Sequence, residues 1–323
     1  MTNEQNMKPY VIGLDLGGTN SVFGIVDARG GIKATTAIKT TGYTDAETYV
    51  KDAVTALQPV IDEVGGIAAI KSMGIGAPNG NYYRGTIEYA PNLPWAHDII
   101  VPLADMFSEK LGIPVALTND ANAAAIGEMT YGVARGMKNF IMITLGTGVG
   151  SGIVVNGEVL YGSDGFAGEL GHTIAVRHNG RLCGCGRNGC LEAYCSAIGV
   201  ARTAREWLDL SDEPSLLREV QNITSKDVYE AAKEGDAVAL RVFDFTGRIL
   251  GEKLADFIQF SAPEAIVLFG GLARAKEFIY EPTFKSMNDN VLPLWKNKVK
   301  LLFSQLKESD AAILGASALA WEL

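Results

Sequence analysis

The segment Tyr10–Val26, YVIGLDLGGTNSVFGIV, decides how the chain is read. Tyr10 to Leu16 and Ser21 to Val26 are apolar runs of strand type, and Gly17-Gly18-Thr19-Asn20 between them reads as a tight turn. The unit is therefore a β-hairpin. A Rossmann fingerprint instead leads from a strand into a helix, and a P-loop ends in Lys-Ser/Thr, which is missing here. In such a turn the backbone N–H groups and the Thr19 hydroxyl can grip phosphate oxygens. Asp15, at the strand end, is placed to hold a magnesium ion through water. By itself a Gly-Gly turn is more often only a hairpin, so Gly17, Gly18, Thr19 and Asn20 are phosphate-binding candidates that need company.

Company comes from the rest of the chain. Asn139 to Leu145 reads as a strand, Gly146-Thr147-Gly148-Val149-Gly150 as a turn, and Ser151 to Val155 as a second strand. Two phosphate-type turns of one design suggest two related half-domains facing one another across a nucleotide. A strand over Ala265 to Phe269 ends in Gly270-Gly271, a third glycine turn on which an adenine or ribose can lie flat.

The stretch from Gly168 to Glu192, GELGHTIAVRHNGRLCGCGRNGCLE, carries two of the chain's three histidines and three of its four cysteines. Cys183, Cys185 and Cys190 are spaced by glycines that let the backbone curl until sulfurs converge. His172 can close a Cys3His tetrahedron of the kind found in structural zinc sites. The plain alternative is a set of unrelated reduced thiols or one disulfide. Clustered thiols in a chain with only one cysteine elsewhere, Cys195, favour metal. Glu169 and Glu192 flank this loop, and fixed carboxylates beside an imidazole suit a hydroxyl-rich ligand. Taken singly, each is as well explained as a solvated charge.

Between these motifs the pattern alternates. A helix is expected from Asp45 to Val64, stopped by Gly65-Gly66. A buried strand follows over Ile70 to Ala77, then a proline-rich loop, Tyr89 to Trp95, carrying Asn92. A helix from Pro102 to Leu111 and a strand from Pro114 to Thr118 lead to Asn119-Asp120 and an alanine-rich helix to Tyr131. Asn or Asp at that junction is the expected N-cap. A carboxylate at a strand's carboxyl end is equally suited to general-base work in a cleft. Helices are also expected over Ala197 to Leu208, Ser225 to Gly235, Asp236 to Phe260 and Ala311 to Trp321.

At 323 residues, 47% hydrophobic and 20% charged, the chain is globular and long enough for two cores. A net charge of −9 argues against a nucleic-acid partner held through phosphates. No apolar run approaches the roughly 20 residues that span a bilayer. MTNEQNMKPY lacks the basic start and apolar stretch of a signal peptide, so a cytoplasmic location without membrane attachment is expected.

Together these motifs resemble the ROK family of sugar kinases and repressors, within the actin-like ATPase superfamily, and its glucokinases above all. The resemblance rests on Asp15–Asn20, Leu145–Gly150, Gly270-Gly271, Pro91-Asn92-Leu93, Asn119-Asp120-Ala-Asn122, Glu169–His172 and CGCGxxGCxE over Cys183–Glu192. It spans essentially the whole chain. It implies an α/β, ribonuclease H-like fold with two lobes around a nucleotide and sugar cleft. The small lobe is expected at residues 1–120 with 304–323, and the large lobe with the zinc loop at 121–303.

The same resemblance implies transfer from Mg-ATP to the 6-hydroxyl of glucose, with Asp120 as the base. Asn92, Asn119, Asp120, Glu169, His172 and Glu192 would hold the sugar, and His172, Cys183, Cys185 and Cys190 a structural zinc. A homodimer is implied as well. Fructose, mannose, N-acetylmannosamine and N-acetylglucosamine are the alternative sugars, and a non-catalytic sugar sensor the alternative class. Repressors of the family carry a helix-turn-helix ahead of the first hairpin. Only nine residues precede Tyr10, so no such module is expected here. One departure stands out. Where the family usually has Pro-Gly, this chain has Pro78-Asn79-Gly80.

Overall fold

The computed structural model describes residues 8–323, and the opening segment used above to judge a leader lies outside the described residues as far as Met7. In chain order the elements are β1 (Tyr10–Leu16), β2 (Asn20–Asp27), β3 (Ile32–Lys39), α1 (Ala46–Glu63), β4 (Ile70–Ala77), β5 (Gly80–Asn81), β6 (Thr86–Glu88), β7 (Ile100–Val101) and α2 (Leu103–Leu111). There follow β8 (Val115–Asn119), α3 (Asp120–Tyr131), β9 (Phe140–Leu145), β10 (Val149–Val155), β11 (Glu158–Val159), α4 (Glu192–Cys195), α5 (Ala197–Asp209), α6 (Ser225–Lys233) and α7 (Ala237–Ser261). The chain closes with β12 (Ala265–Phe269), α8 (Lys276–Asn290), β13 (Lys300–Phe303) and α9 (Glu308–Trp321). None of these helices is long and apolar enough to cross a membrane.

Backbone contacts divide the chain into two compact units. The first comprises Met1–Gly136, Gly157–Ala167 and Gln305–Leu323, and the second Met137–Asn156 and Gly168–Ser304. This places α3 in the first unit, whereas the sequence reading began the second lobe at Ala121. The reason is packing: α3 shares its small-residue face with α9, so that Gly127 and Gly315 meet backbone to backbone.

The first unit is built on the sheet order β3-β2-β1-β4-β8. β1 and β2 form the expected antiparallel hairpin, with Leu16 opposite Ser21. β4 joins β1 in parallel, and β8 joins β4 in parallel. β1 is apolar on both faces because α1 and α2 cover one side of the sheet and α9 the other. Ile12, Leu14, Phe23, Tyr49, Leu57, Ile75 and Phe107 share the larger core. α9 lies almost on the strands themselves. A Cβ on Gly74 would sit 1.9 Å from the Ala316 carbonyl oxygen, and one on Gly13 2.3 Å from that of Ile313. α1 starts where expected: the Asp45 side chain accepts from the Thr48 N–H at 2.7 Å.

The second unit repeats the scheme. β9 and β10 form an antiparallel hairpin, β12 runs parallel to β9, and β13 parallel to β12. Its core joins these strands to α5–α8 through Ile143, Val200, Phe243, Leu250, Leu268 and Ile279. α7 and α8 approach closely because Gly247 and Gly251 face Pro282 and Thr283. The sequence reading missed β3, α8 and the small sheet β5-β6-β7, together with the short elements β11, α4 and β13. α8 carries Pro282 within it, and β3 alternates half-buried and exposed residues without an apolar run.

Candidate functional site

In the first unit the phosphate-type turn is closed by a hydrogen bond from the Gly17 N–H to the Asn20 carbonyl at 3.0 Å. Thr19 and Asn20 are exposed at the turn, while their carbonyls are engaged within the unit. Gly18 leaves room for the Asn92 loop: a Cβ there would lie 3.3 Å from both the Cβ and the carbonyl oxygen of Asn92. The turn and the candidate sugar loop are thus in contact within one unit.

A buried polar chain backs this contact. The Thr40 N–H donates to the Thr19 carbonyl at 2.8 Å. Ser21 Oγ lies 2.7 Å from Thr40 Oγ1 and 2.8 Å from the Tyr49 hydroxyl. The indole Nε1 of Trp95 donates to the Thr40 carbonyl at 3.2 Å, and the Trp95 ring stacks on Tyr49 with centroids 4.7 Å apart. Trp95 is only 2% exposed. It is an anchor for the loop, and the sequence reading, which noted it only as part of a rigid loop, missed that role. A tryptophan beside two prolines was the available signal.

Asn119 and Asp120 divide the two roles left open above. Asn119 caps α3, its side chain accepting from the Ala121 N–H at 2.8 Å. Asp120 opens the helix and its carboxylate also accepts from the Ala121 N–H, at 2.7 Å. Asp120 remains within reach of solvent, while the protein around it strips enough water to hold its carboxyl above the usual carboxylate range. Asp15, at the end of β1, is raised to about 6, first by burial and then by the negative charge of Asp120. A buried carboxyl raised by a neighbouring carboxylate is a group that a bound cation would return to its charged form. Between their strands Gly76 of β4 keeps the space open, since a Cβ there would meet Ala123 Cβ at 3.0 Å.

Asn79 takes the left-handed conformation, φ 51°, that a glycine would adopt at that place, so the departure from the family pattern leaves the backbone turn intact.

In the second unit the turn after β9 is closed from the Gly146 N–H to the Gly148 carbonyl at 3.0 Å, and Thr147 is exposed at its tip. α5 is tied to it by the Ala197 N–H donating to the Gly146 carbonyl at 2.8 Å. Phe269 pairs with Thr144, so the Gly270-Gly271 turn emerges at the same sheet end as Gly146–Gly148. Gly270 has φ 99°, and a Cβ there would be 2.7 Å from the Leu145 carbonyl oxygen. Glycine is required twice over at that position.

Glu192 is drawn into this turn: one carboxylate oxygen accepts from the Val149 N–H at 3.0 Å, the other from the Cys183 thiol at 3.4 Å. Gly148 must lack a side chain for this carboxylate to fit, because a Cβ would be 2.4 Å from it. Glu169 is exposed on the approach to a short helical turn, Leu170–His172. That turn rests on β10, where Gly171 avoids the Val149 carbonyl.

The donor atoms of His172, Cys183, Cys185 and Cys190 all lie within 4.8 Å of one another. Cys183 Sγ is 3.7 Å from His172 Nδ1, and Cys185 Sγ is 3.7 Å from Cys190 Sγ. A tetrahedron with Zn–S bonds of about 2.3 Å has edges of roughly 3.8 Å. The donors fit such an ion in number, chemistry and spacing. The loop is pre-shaped by Gly186 and Gly189 at φ 82° and 83°. Cys195 is fully buried with its thiol on the Thr246 carbonyl, outside the cluster. Arg181, 9% exposed, braces the loop: it pairs with Glu206 at 2.6 Å, donates to Thr203 Oγ1 at 2.8 Å and lies over the Tyr194 ring. That brace had no signal in sequence.

The candidate residues therefore fall into two sets. Asp15, Gly17, Gly18, Thr19, Asn20, Asn92, Asn119 and Asp120 belong to the first unit, and Gly146, Thr147, Gly148, Glu169, His172, the three loop cysteines, Glu192, Gly270 and Gly271 to the second.

The chain is similar to known proteins along nearly its whole length. A glucokinase of Thermotoga maritima is 35% identical over 97% of this chain and 97% of its own. A ROK family glucokinase from Streptomyces griseus, solved in complex with glucose and AMPPNP, is 35% identical. It superposes with a TM-score of 0.79 over 97% of this chain and 100% of its own. A xylose repressor of Caldicellulosiruptor bescii is 29% identical over 77% of this chain and 62% of its own. The family described as ROK matches residues 11–322. With its two hairpin-bearing sheets of the actin-like ATPase type, its glycine turns and its Cys-His loop, this chain belongs to the ROK family.

Proposed function

We propose that this member of the ROK family, an ATP-dependent sugar kinase, transfers the γ-phosphoryl group of Mg-ATP to the 6-hydroxyl of glucose. The observation that carries the reading is Asp120: a solvent-reachable carboxylate, raised by its surroundings, in the same unit as a phosphate-type turn and the Asn92 loop. As the alcohol oxygen bonds to phosphorus, its proton passes to Asp120 and the bridging P–O bond breaks to release ADP. Asn92 and Asn119 are the first unit's candidates for the remaining hydroxyls, and Glu169, His172 and Glu192 the second unit's, on the family resemblance alone. Phosphate oxygens are received by the backbone N–H groups and threonine hydroxyls of the two turns, and the nucleoside by Gly270-Gly271. Asp15 would hold magnesium through water, and that ion supplies charge neutralisation on the phosphates.

Zinc in the His172, Cys183, Cys185 and Cys190 site would be structural, because all four positions of the tetrahedron are filled by protein. Glucose is favoured over other hexoses and N-acetylhexosamines by the similarity to glucokinases. The setting we infer is the cytoplasm, and the assembly a homodimer. A sugar sensor is the second reading, supported by the likeness to a xylose repressor. The experiment is ADP production from Mg-ATP against a panel of hexoses and N-acetylhexosamines. Turnover fastest with glucose supports the proposal; a preference for another sugar moves the substrate and keeps the chemistry. No turnover with a sugar that binds would leave the sensor.

A further inference from the structure

We infer that Asn79 is a positioning residue for the sugar loop, setting where Asn92 stands through two side-chain hydrogen bonds to the strand that feeds it. The inference rests on the reading of Asn92 as a sugar-binding residue. The loop from Ala90 to Ala96 is closed on itself. The Ala90 N–H donates to the Ala96 carbonyl at 2.9 Å, the Leu93 N–H to the Ala90 carbonyl at 3.1 Å, and the Ala96 N–H to the Leu93 carbonyl at 2.8 Å. Its far side is fixed by buried Leu93 and by Trp95 on the Thr40 carbonyl. A body of this kind moves as a piece, and its near side decides its tilt.

That near side is Tyr89, which is exposed and held at φ 52°. A bulky residue in the left-handed region is strained, and such strain persists only where neighbours over-determine it. The Ile99 carbonyl holds the Tyr89 N–H at 3.1 Å, and Asn79 holds the other side of the residue. Its amide Nδ2 donates to the Tyr89 carbonyl at 3.1 Å and to the Glu88 carbonyl at 3.0 Å, and its own carbonyl accepts from the Glu88 N–H at 3.1 Å. Asn79 can do this because it sits at φ 51°, a conformation asparagine tolerates better than most residues. The side chain is thus a bracket that a glycine at this position would not provide.

Two substitutions separate the bracket from the backbone turn. Asn79→Gly keeps the left-handed backbone without the amide, and Asn79→Asp keeps size and backbone but replaces the donor by an acceptor facing two carbonyls. Both variants are expected to raise the sugar KM about five- to tenfold while kcat at saturating sugar stays within about threefold, as loss of exposed hydrogen bonds to a binding loop should. Asn92→Ala is the reference for the loop's role. If Asn92→Ala raises the sugar KM and both Asn79 variants behave as wild type, the bracket is overturned, even if their melting temperatures fall. If Asn92→Ala also leaves the KM unchanged, the reading of the loop fails and the inference with it. Failure of wild-type turnover with every sugar would instead refute the kinase reading.

Discussion

Gly315→Ala is the sharpest probe of how the fold holds Asp120. Gly315 lies where α9 crosses α3. A Cβ added there would be 2.3 Å from the Ala123 carbonyl oxygen and 2.6 Å from its carbon, both backbone atoms that cannot rotate away. Ordinary contact begins at 3.4 Å, so the helices must separate by 3.4 − 2.3 = 1.1 Å. On the other side Gly127 has no slack, since its own Cβ position is 2.9 Å from Gly315 Cα. Overpacking of this kind costs about 1–3 kcal/mol of stability. Ala123 is one turn from Asp120, so α3 carries the proposed base with it, and a displacement of about 1 Å can lower kcat roughly 100-fold. The assay pairs urea unfolding with kcat for Mg-ATP and glucose at a temperature where the variant is folded. An unchanged urea midpoint together with kcat within twofold of wild type would refute the account of this crossing.

Asp120→Asn should lower kcat by about 10²–10⁴ while sugar binding by calorimetry persists, as befits a base; near-normal turnover removes that role. Metal analysis should find zinc, one ion for the one such cluster among the described residues, and Cys185→Ser or a strong chelator should lower the melting temperature. An unchanged melting curve after chelation would reduce the thiols to packing. Trp95→Phe deprives the Thr40 carbonyl of its donor in a buried site and should cost about 1–3 kcal/mol, checked by urea unfolding.

Asp27 is depressed to about 2, chiefly by the Lys33 ammonium and then by the Gly31 N–H. Its contribution is therefore full above pH 4, the unfolded range, and lost as pH falls toward 2. Asp27→Asn should cost about 1 kcal/mol at pH 7, allowing for solvent screening, and only a small part of that at pH 2, where the folded carboxyl is half protonated. Equal loss at both pH values would disprove the electrostatic origin.

The hairpins were legible because each is local: two apolar runs and a glycine turn suffice. The Cys-His loop was legible for the same reason, since its ligands converge over a short stretch of chain. What sequence could not show is long-range. Nothing in the α9 sequence says that Gly315 meets Gly127, nor does β3, half-exposed throughout, announce itself by an apolar run. α8 was hidden by Pro282, which reads as a helix breaker until Gly247 of α7 is seen to face it. Asn119 and Asp120 posed a different problem, because capping and catalysis ask for the same residue types. Geometry assigns the cap to Asn119 and leaves the carboxylate of Asp120 within reach of solvent.

The first unit is assembled from three separated segments of chain, and α9 comes from the last of them. A ribosome must therefore translate all of the second unit before the first can be completed. Until then the faces of β1 and β4 around Gly13 and Gly74, shaped to receive a helix backbone, are bare to water. The second unit has all of its chain once Ser304 is made, whereas the first, which carries Asp15 and Asp120, still lacks α9. A chain that stops at Ser304 therefore lacks the helix that packs on β1, the strand of Asp15, and on α3, the helix of Asp120.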